Sequence, residues 1–168
     1  MKKRMILVVS CFFLALLSCK KDVNQENNTK NNDEAVLVFP DTVYINEKYD
    51  GKIDYKSDLD TITKKFNDVK KARFIFYSFL RTYDKNYDVE YLKRIVKDTF
   101  VAETNKMIPL YNIKFDKLGL NFFDGIITDE VIIENGAIDK NGESMARIIT
   151  HETRLTRGVY VIERKNKK

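Results

Sequence analysis

The feature that most constrains this chain is an alternation of polar and apolar side chains that recurs in short segments from residue 42 onward. A period of two is typical of β-strands that bury one face. Sequences rich in glycine and asparagine separate many of these segments, as hairpin turns do. We therefore predict a mainly β domain, an antiparallel β-sandwich. The predicted strands cover residues 42–46, 52–56, 73–80, 109–115, 120–123, 126–133, 146–153 and 159–163.

Two of these segments carry more detail. Residues 73–80 are apolar at almost every position, which is typical of a central strand covered on both faces. Residues 109–115 alternate, with Pro109 at the predicted strand start. Their predicted faces carry Leu110, Asn112 and Lys114 on one side, and Tyr111, Ile113 and Phe115 on the other. The predicted turns lie at residues 49–51, 124–125, 135–143 and 156–158.

Two segments carry a helical period, so we predict one or two short helices. In residues 57–69 the apolar side chains fall three or four positions apart, and Ser57 with Asp60 forms a capping-box pattern. Residues 88–100 repeat the spacing, with Asp88 as a predicted N-cap. An irregular strand with a bulge is the alternative for the second segment.

Residues 115–122 resemble the corner of bacterial immunoglobulin-like domains, in which an aromatic strand end, a glycine turn and an aromatic strand follow one another. The resemblance implies an immunoglobulin-like sandwich. It does not extend to the cysteine pair and tryptophan of antibody-type domains, because the chain has no tryptophan and its two cysteines are Cys11 and Cys19.

The N-terminus has the plan of a secretory signal peptide. Lys2, Lys3 and Arg4 precede an almost unbroken apolar run at residues 5–17. This run is too short to span a membrane, which needs about 20 apolar residues. We predict a signal peptide at residues 1–18.

Residues 16–19, Leu-Leu-Ser-Cys, resemble the lipobox of bacterial lipoproteins. The resemblance implies cleavage before Cys19 and attachment of a diacylglycerol and an acyl chain to that cysteine. Three acyl chains would hold the protein on a membrane essentially permanently. An ordinary cleaved signal and an uncleaved signal anchor are the alternatives.

The resemblance also implies a location, because the residue after the cysteine is Lys20 and not the aspartate that favours inner-membrane retention. We therefore expect the outer membrane. Lys20, Lys21 and Asp22 partly match a run that directs some lipoproteins to the cell surface, so the periplasmic and the surface face both stay open.

Composition then divides the rest of the chain. Residues 20–35 contain five asparagines and no aromatic side chain, which predicts a flexible tether after the lipidated Cys19. Residues 36–163 form the predicted domain, and 164–168 a basic, solvated tail.

Loss of the three leader cations would lower the formal net charge from +5 to +2, and no basic face with interleaved aromatics is present. A nucleic-acid partner is therefore not expected.

The sequence predicts no catalytic, metal or cofactor site. His151 is the only histidine, and Leu155 stands where a zinc protease motif that begins His151-Glu152 needs its second histidine. The chain has one histidine and no cysteine after Cys19, which leaves little for a Ser-His-Asp or Cys-His mechanism, since each needs a nucleophile, a base and a group that orients the base. Three acidic groups could supply oxygen ligands to calcium, but turn chemistry is the favoured interpretation. They are Asp58 with Asp60, residues 139–143, and Asp124 with Asp129.

Aromatic side chains give the last candidate site. The chain has nine tyrosines and eleven phenylalanines, and most of those outside the leader fall on apolar strand faces, which favours core packing. Tyr83, Tyr87 and Tyr91 lie near a charged loop and are candidate ligand contacts. If they were exposed and coplanar, carbohydrate binding would be favoured.

Together these features predict a non-enzymatic, outer-membrane-anchored lipoprotein that acts as a binding or assembly component of the cell envelope. Its expected partners are the membrane, through the lipid anchor, and an envelope protein or glycan. A glycan-binding accessory module is the alternative, and an enzyme of unknown class comes third. Exposed sheet edges would also allow strand addition to a partner.

Overall fold

The computed structural model describes residues 34–66 and 68–165. The predicted signal peptide, Cys19, most of the predicted tether and the last three residues of the predicted tail lie outside the described residues. The strands are β1 Glu34–Val38, β2 Thr42–Tyr44, β3 Lys48–Lys56, β4 Lys71–Thr82, β5 Asp98–Val101, β6 Met107–Lys114, β7 Gly119–Ile138 and β8 Ser144–Ile162. A 3-10 helix, Asp58–Thr61, follows β3, and helix α1, Val89–Ile95, precedes β5.

The described strands form two sheets. One has three strands in the order β1-β3-β6, and the other has five in the order β2-β8-β7-β4-β5. Every neighbouring pair is antiparallel except β2 and β8, which are parallel. The predicted mainly β, sandwich-like class with one or two short helices is therefore confirmed, while the immunoglobulin-like topology stays a prediction.

The core lies between the inner faces of the two sheets. Ile75, Tyr77 and Phe79 of β4 are buried there, opposite Ile53 and Leu110 of the smaller sheet. Phe39 and Phe115, which directly follow β1 and β6, pack edge to face against Phe123 of β7, with ring centroids 4.9 and 5.4 Å from that of Phe123. Prediction of residues 73–80 as a central strand is confirmed, because β4 lies between β7 and β5, but the strand is not covered on both faces along its length, since Phe74 is 50% exposed.

The predicted turns at residues 124–125 and 156–158 are wrong, because β7 and β8 are long continuous strands that pair with each other. Gly125 lies inside β7, where a Cβ atom would collide with Phe79 of the neighbouring strand. Gly158 lies inside β8, where a Cβ would come within 3.3 Å of Leu120. Both glycines permit close packing inside a sheet and do not mark turns. The loop joining the strands is limited to residues 139–143.

The turn predicted at residues 49–51 is also wrong, since these residues lie within β3. The chain reverses earlier, at Asn46, whose φ of 61° is one that asparagine tolerates. The strands on either side of this turn join different sheets, so they do not form a hairpin with each other.

The simple alternation predicted for residues 109–115 fails at a bulge in β6. Asn112 has a φ of 56°, and its backbone N–H donates to Asp50 Oδ1 at 2.8 Å. The register between β3 and β6 shifts at this point. Because the bulge adds a residue, Leu110 and Ile113 both face the core although an odd number of positions separates them.

The two predicted helices differ in outcome. Ser57 accepts a hydrogen bond from the N–H of Leu59, but only the short 3-10 helix follows it. Asp88 caps α1 through the N–H of Tyr91, which confirms the second helix, although the chain enters β5 before Phe100. Within residues 34–66 and 68–165 no helix is long and apolar enough to cross a membrane.

Candidate functional site

A cleft of about 490 Å³ opens at the end of the two sheets where β4 and β6 finish. We call it the basic cleft. Its walls come from the C-terminal end of β4, the start of β5, the end of β6, and the loop from β6 into β7. The lining residues are Leu80, Arg81, Thr82, Tyr83, Lys97, Asp98, Lys114, Asp116, Lys117 and Asn121.

The basic cleft carries more positive than negative charge. Four of its lining side chains are cations and two are carboxylates, so the lining has a formal net charge of +2. One cation is already paired, since Arg81 donates to Asp98 Oδ2 at 2.8 Å and to the carbonyl of Lys114 at 2.6 Å. The excess therefore resides on Lys97, Lys114 and Lys117. A solvent-open concavity with this balance attracts anionic groups.

A buried asparagine fixes the loop that carries Lys117. Asn121, which is 4% exposed, donates through Nδ2 to the carbonyls of Lys117 and Gly119, both at 3.0 Å. Gly119 has a φ of 91°, which few other residues adopt without strain. Phe115, on the other side of this loop, is buried in the core. The loop is thus tied to the fold at both ends.

Tyr83 supplies an aromatic surface in the basic cleft. Its side chain is 48% exposed, and Lys117 Nζ lies 5.3 Å from its ring centroid. This is cation–π distance. Of the three tyrosines singled out in the sequence, Tyr83 is the one that lines the cleft.

Tyr87 and Tyr91 instead form a pair with each other. Their ring centroids are 5.7 Å apart, and the ring planes are inclined by 40°. Arg94 lies over the Tyr91 ring at 5.6 Å from the centroid. Two rings at this inclination do not make the flat strip that stacks along a sugar chain, so the condition set for carbohydrate binding is not met by this pair.

An ion pair holds the segment between β4 and α1 against the outer face of the larger sheet. Arg154 donates to both carboxylate oxygens of Asp124, at 2.9 and 2.7 Å, and to the carbonyls of Tyr87 and Lys85. Asp124 is fully buried and also accepts from Thr156. The hydrogen bond to Asp124 raises the pKa of Arg154 more than burial lowers it. Arg154 thereby holds in place the segment that follows Tyr83, which lines the cleft.

A second ion pair is buried between the sheets, at the start of β4. Arg73 is 1% exposed and donates to both oxygens of Asp129, at 2.9 and 2.6 Å, to Asp60 at 2.6 Å and to the carbonyl of Thr63. Burial alone would lower the pKa of Arg73, but the hydrogen bonds to the two carboxylates outweigh it and the pKa is raised. We call these residues the arginine network.

These ion pairs bind Asp60, Asp124 and Asp129, three of the acidic residues whose oxygens suit calcium. Asp124 and Asp129 lie on opposite faces of β7, and each is bound by an arginine. Asp139 accepts the backbone N–H groups of Asn141 and Glu143 at 2.9 and 2.8 Å, which is turn chemistry. No group of three or more His, Cys, Asp or Glu side chains able to hold a metal ion occurs in the part of the chain that the structure describes.

His151 lies in strand β8, in agreement with the strand predicted there. It is half-buried, and its Nε2 lies 3.1 Å from Thr153 Oγ1. Glu152 projects from the other face of the strand and binds Lys93 of α1 at 2.6 Å. The two side chains therefore do not act on a common ligand from one face.

The sequence did not reveal the basic cleft. Its cations come from β4, the approach to β5, β6 and the following loop, and no local motif links them. The one signal was Tyr83 beside charged residues. Comparison of the chain with protein-family models, with curated protein sequences and with solved structures finds no match.

Proposed function

We propose that this chain is a lipid-anchored, non-enzymatic binding protein of the bacterial cell envelope, and that the basic cleft receives an anionic group of its ligand. The observation that carries the binding role is the cleft itself, in which three lysines and Tyr83 border about 490 Å³ of open volume. The ligand is defined here by its charge, as a carboxylate- or phosphate-bearing envelope component.

The anchor rests on the leader. A cationic start, an apolar run too short to span a membrane, and Leu-Leu-Ser-Cys at residues 16–19 support export followed by lipidation of Cys19. The absence of an aspartate after this cysteine supports the outer membrane. An anchored domain meets envelope polymers at high local concentration, so weak contacts in the cleft suffice for retention.

The chemistry of the cleft favours binding over turnover. Ammonium groups on flexible stems are strongly hydrated point charges that attract anions over a distance set by the ionic strength. Tyr83, which is 48% exposed and lies at cation–π distance from Lys117 Nζ, adds an aromatic surface for an apolar sugar face or another ring. The lining contains neither histidine nor cysteine.

Mass spectrometry of the processed N-terminus tests the anchor. We expect a chain that begins at Cys19 and carries the mass of three acyl groups and glycerol. Conversion of Cys19 to Ala should block processing and release the protein from the membrane fraction. Cleavage at another residue, or an unmodified Cys19, would overturn the anchor.

Binding to matched polymers tests the cleft. Purified protein should be retained by a polysaccharide that bears carboxylates or phosphates and pass through its neutral counterpart, and the retention should weaken as salt is raised. Equal retention on both polymers, or no dependence on salt, would count against an anion site.

A glycan-binding accessory module is the second candidate, and Tyr83 is the observation that favours it. Replacement of Tyr83 by Ala should then weaken binding to an acidic glycan more than binding to an inorganic polyphosphate, which offers no ring to stack on. Equal weakening of both would leave charge as the basis of recognition and would count against the glycan.

A further inference from the structure

Strand β8 is unequally paired on its two sides. Its pairing with β7 covers almost the whole of Ser144–Ile162, whereas its pairing with β2 covers only Tyr160 to Ile162. Among the described residues, no backbone hydrogen bond is made to the other side of residues 144–156. At about 3.4 Å per residue this open edge is about 40 Å long.

The backbone groups that face the open edge follow from the paired end of β8. The N–H of Tyr160 donates to Asp41 and the carbonyl of Ile162 accepts from Ile45, so even-numbered residues face the β2 side. The register with β7 is uninterrupted from Val161 back to Arg147, and after an irregularity whose extra residues lie on β7 the pairing resumes at Met145 and Ser144. Alternation therefore continues along the edge. The edge-facing residues are Ser144, Ala146, Ile148, Thr150, Glu152, Arg154 and Thr156.

Sheet edges are usually short, bulged or blocked by proline. The edge strands β1, β2 and β5 have five, three and four residues, and β6 carries Pro109 and the bulge at Asn112. The open edge of β8 has no proline. Its charged residues Glu152 and Arg154 lean over their own sheet, toward Lys93 and Asp124. It is therefore the edge of this fold best able to accept another strand.

We propose that this edge pairs antiparallel with the same edge of a second copy of the chain, with a two-fold axis at Thr150. Thr150 is the midpoint of residues 144–156, so an axis there uses the whole edge. Each of the seven edge-facing residues would then exchange two backbone hydrogen bonds with its counterpart. The two larger sheets would then be joined through their β8 strands, next to the segment Tyr160 to Ile162 that each β8 already pairs with its own β2.

The side chains favour a second copy as the occupant, because the edge is compatible with itself in this register. Arg147 would face Thr153, Glu152 would face Ile148, and Arg154 would face Ala146, so no like charges meet. Thr150 would face Thr150, a pairing that stabilises antiparallel sheets. An axis moved to Glu152 would instead oppose two glutamates, and one at Arg154 two arginines.

A cysteine at the axis tests the proposal in the full-length chain. In Thr150→Cys the two cysteines would lie opposite each other with a Cα separation of about 5.5 Å, which suits a disulfide. The matched control, Glu152→Cys, is on the same edge, but its two copies would be about 14 Å apart along the strand, too far to bond. The unsubstituted chain measures the background from Cys11 and Cys19.

We expect oxidation to give a covalent homodimer of Thr150→Cys and only background dimer in the other two proteins. Failure of Thr150→Cys to exceed background, equal linkage of both variants, or linkage only to a different protein would each overturn the proposal.

Thr150→Pro provides a second measurement, because the lost N–H faces the edge and no bond to β7 is removed. This variant should sediment as a monomer with an unchanged circular dichroism spectrum. A folded Thr150→Pro that still dimerises would contradict the pairing, and if it does not fold, the cysteine result decides.

Discussion

Strand β4 carries an arginine near each end, and the two differ in what surrounds them. Arg73 is buried in the arginine network, where Asp129, Asp60 and the carbonyl of Thr63 accept its hydrogen bonds. Arg81, eight residues further on and about 26 Å away, is exposed at the basic cleft and pairs with Asp98. The other cations that line the cleft, Lys97, Lys114 and Lys117, are exposed as well.

The difference separates charge that serves the fold from charge that is available to a ligand. A buried arginine must be matched by acceptors, because an unpaired ion in a nonpolar interior is very unfavourable. The cleft lysines are exposed, so solvent stabilises their charge, and Lys117 also lies over the Tyr83 ring. We therefore expect substitutions at one end to change stability and at the other to change binding.

The largest effect is expected from Arg73→Met. The change leaves Asp129 fully buried and without its guanidinium, so the free energy of unfolding should fall by about 3–5 kcal/mol. Urea denaturation measures the loss. The matched control is Arg81→Met, which breaks an exposed pair and should cost about 1 kcal/mol or less. Similar losses in both variants would remove the contrast between the two ends.

An intermediate effect is expected from Arg154→Met, because Arg154 is partly exposed but binds the buried Asp124. We expect a loss of roughly 2 kcal/mol, the scale of a hydrogen-bonded charge. The carbonyls of Lys85 and Tyr87 also lose their donor, so hydrogen exchange should accelerate in the segment between β4 and α1. Exchange that rises uniformly over the whole sheet would contradict this local role.

A smaller, pH-dependent effect is expected at Tyr77. Burial raises the pKa of its hydroxyl, and the nearby charge of Asp124 adds to the shift. A tyrosine in the unfolded chain ionises near pH 10, so above that pH the unfolded state releases a proton that the folded state keeps. Stability linked to Tyr77 is thus present below about pH 10 and is lost as pH rises further.

Comparison with Tyr77→Phe isolates this contribution from that of the other tyrosines. The variant loses the hydrogen bond to the carbonyl of Leu155 and should be about 1 kcal/mol less stable at neutral pH. Its free energy of unfolding should then fall less steeply between pH 10 and 11. Parallel curves for the two proteins would show that Tyr77 does not titrate as described.

Local pattern predicted the elements that local chemistry controls. The core strand at residues 73–80 and the α1 cap at Asp88 were predictable because strand alternation and N-capping act over a few residues. Gly125 and Gly158 misled because a glycine needed for close packing between strands has the same sequence appearance as a glycine in a turn. What distinguishes these glycines is their close contact with Phe79 and Leu120 of neighbouring strands, and these residues are distant in the sequence.

The charged sites were less predictable for the same reason. Arg73 and Asp129 are separated by 56 positions, and only the pairing of β4 with β7 brings them together. The cleft lysines converge because several strands end at one edge of the fold. Tyr83 was the one cleft residue that its local surroundings singled out.

The claim that the arginine network serves stability and the basic cleft serves binding is tested most directly with a double variant, Lys114→Gln with Lys117→Gln. The measurement is the affinity of this variant for an acidic polysaccharide. Both residues line the basic cleft, whereas the control, Lys140→Gln, changes a lysine in the turn between β7 and β8. We expect the double variant to bind at least tenfold more weakly with its free energy of unfolding unchanged within about 0.5 kcal/mol, and the control to bind normally. Unchanged affinity in the double variant, or an equal loss in the control, would contradict the assignment of the cleft as the binding site.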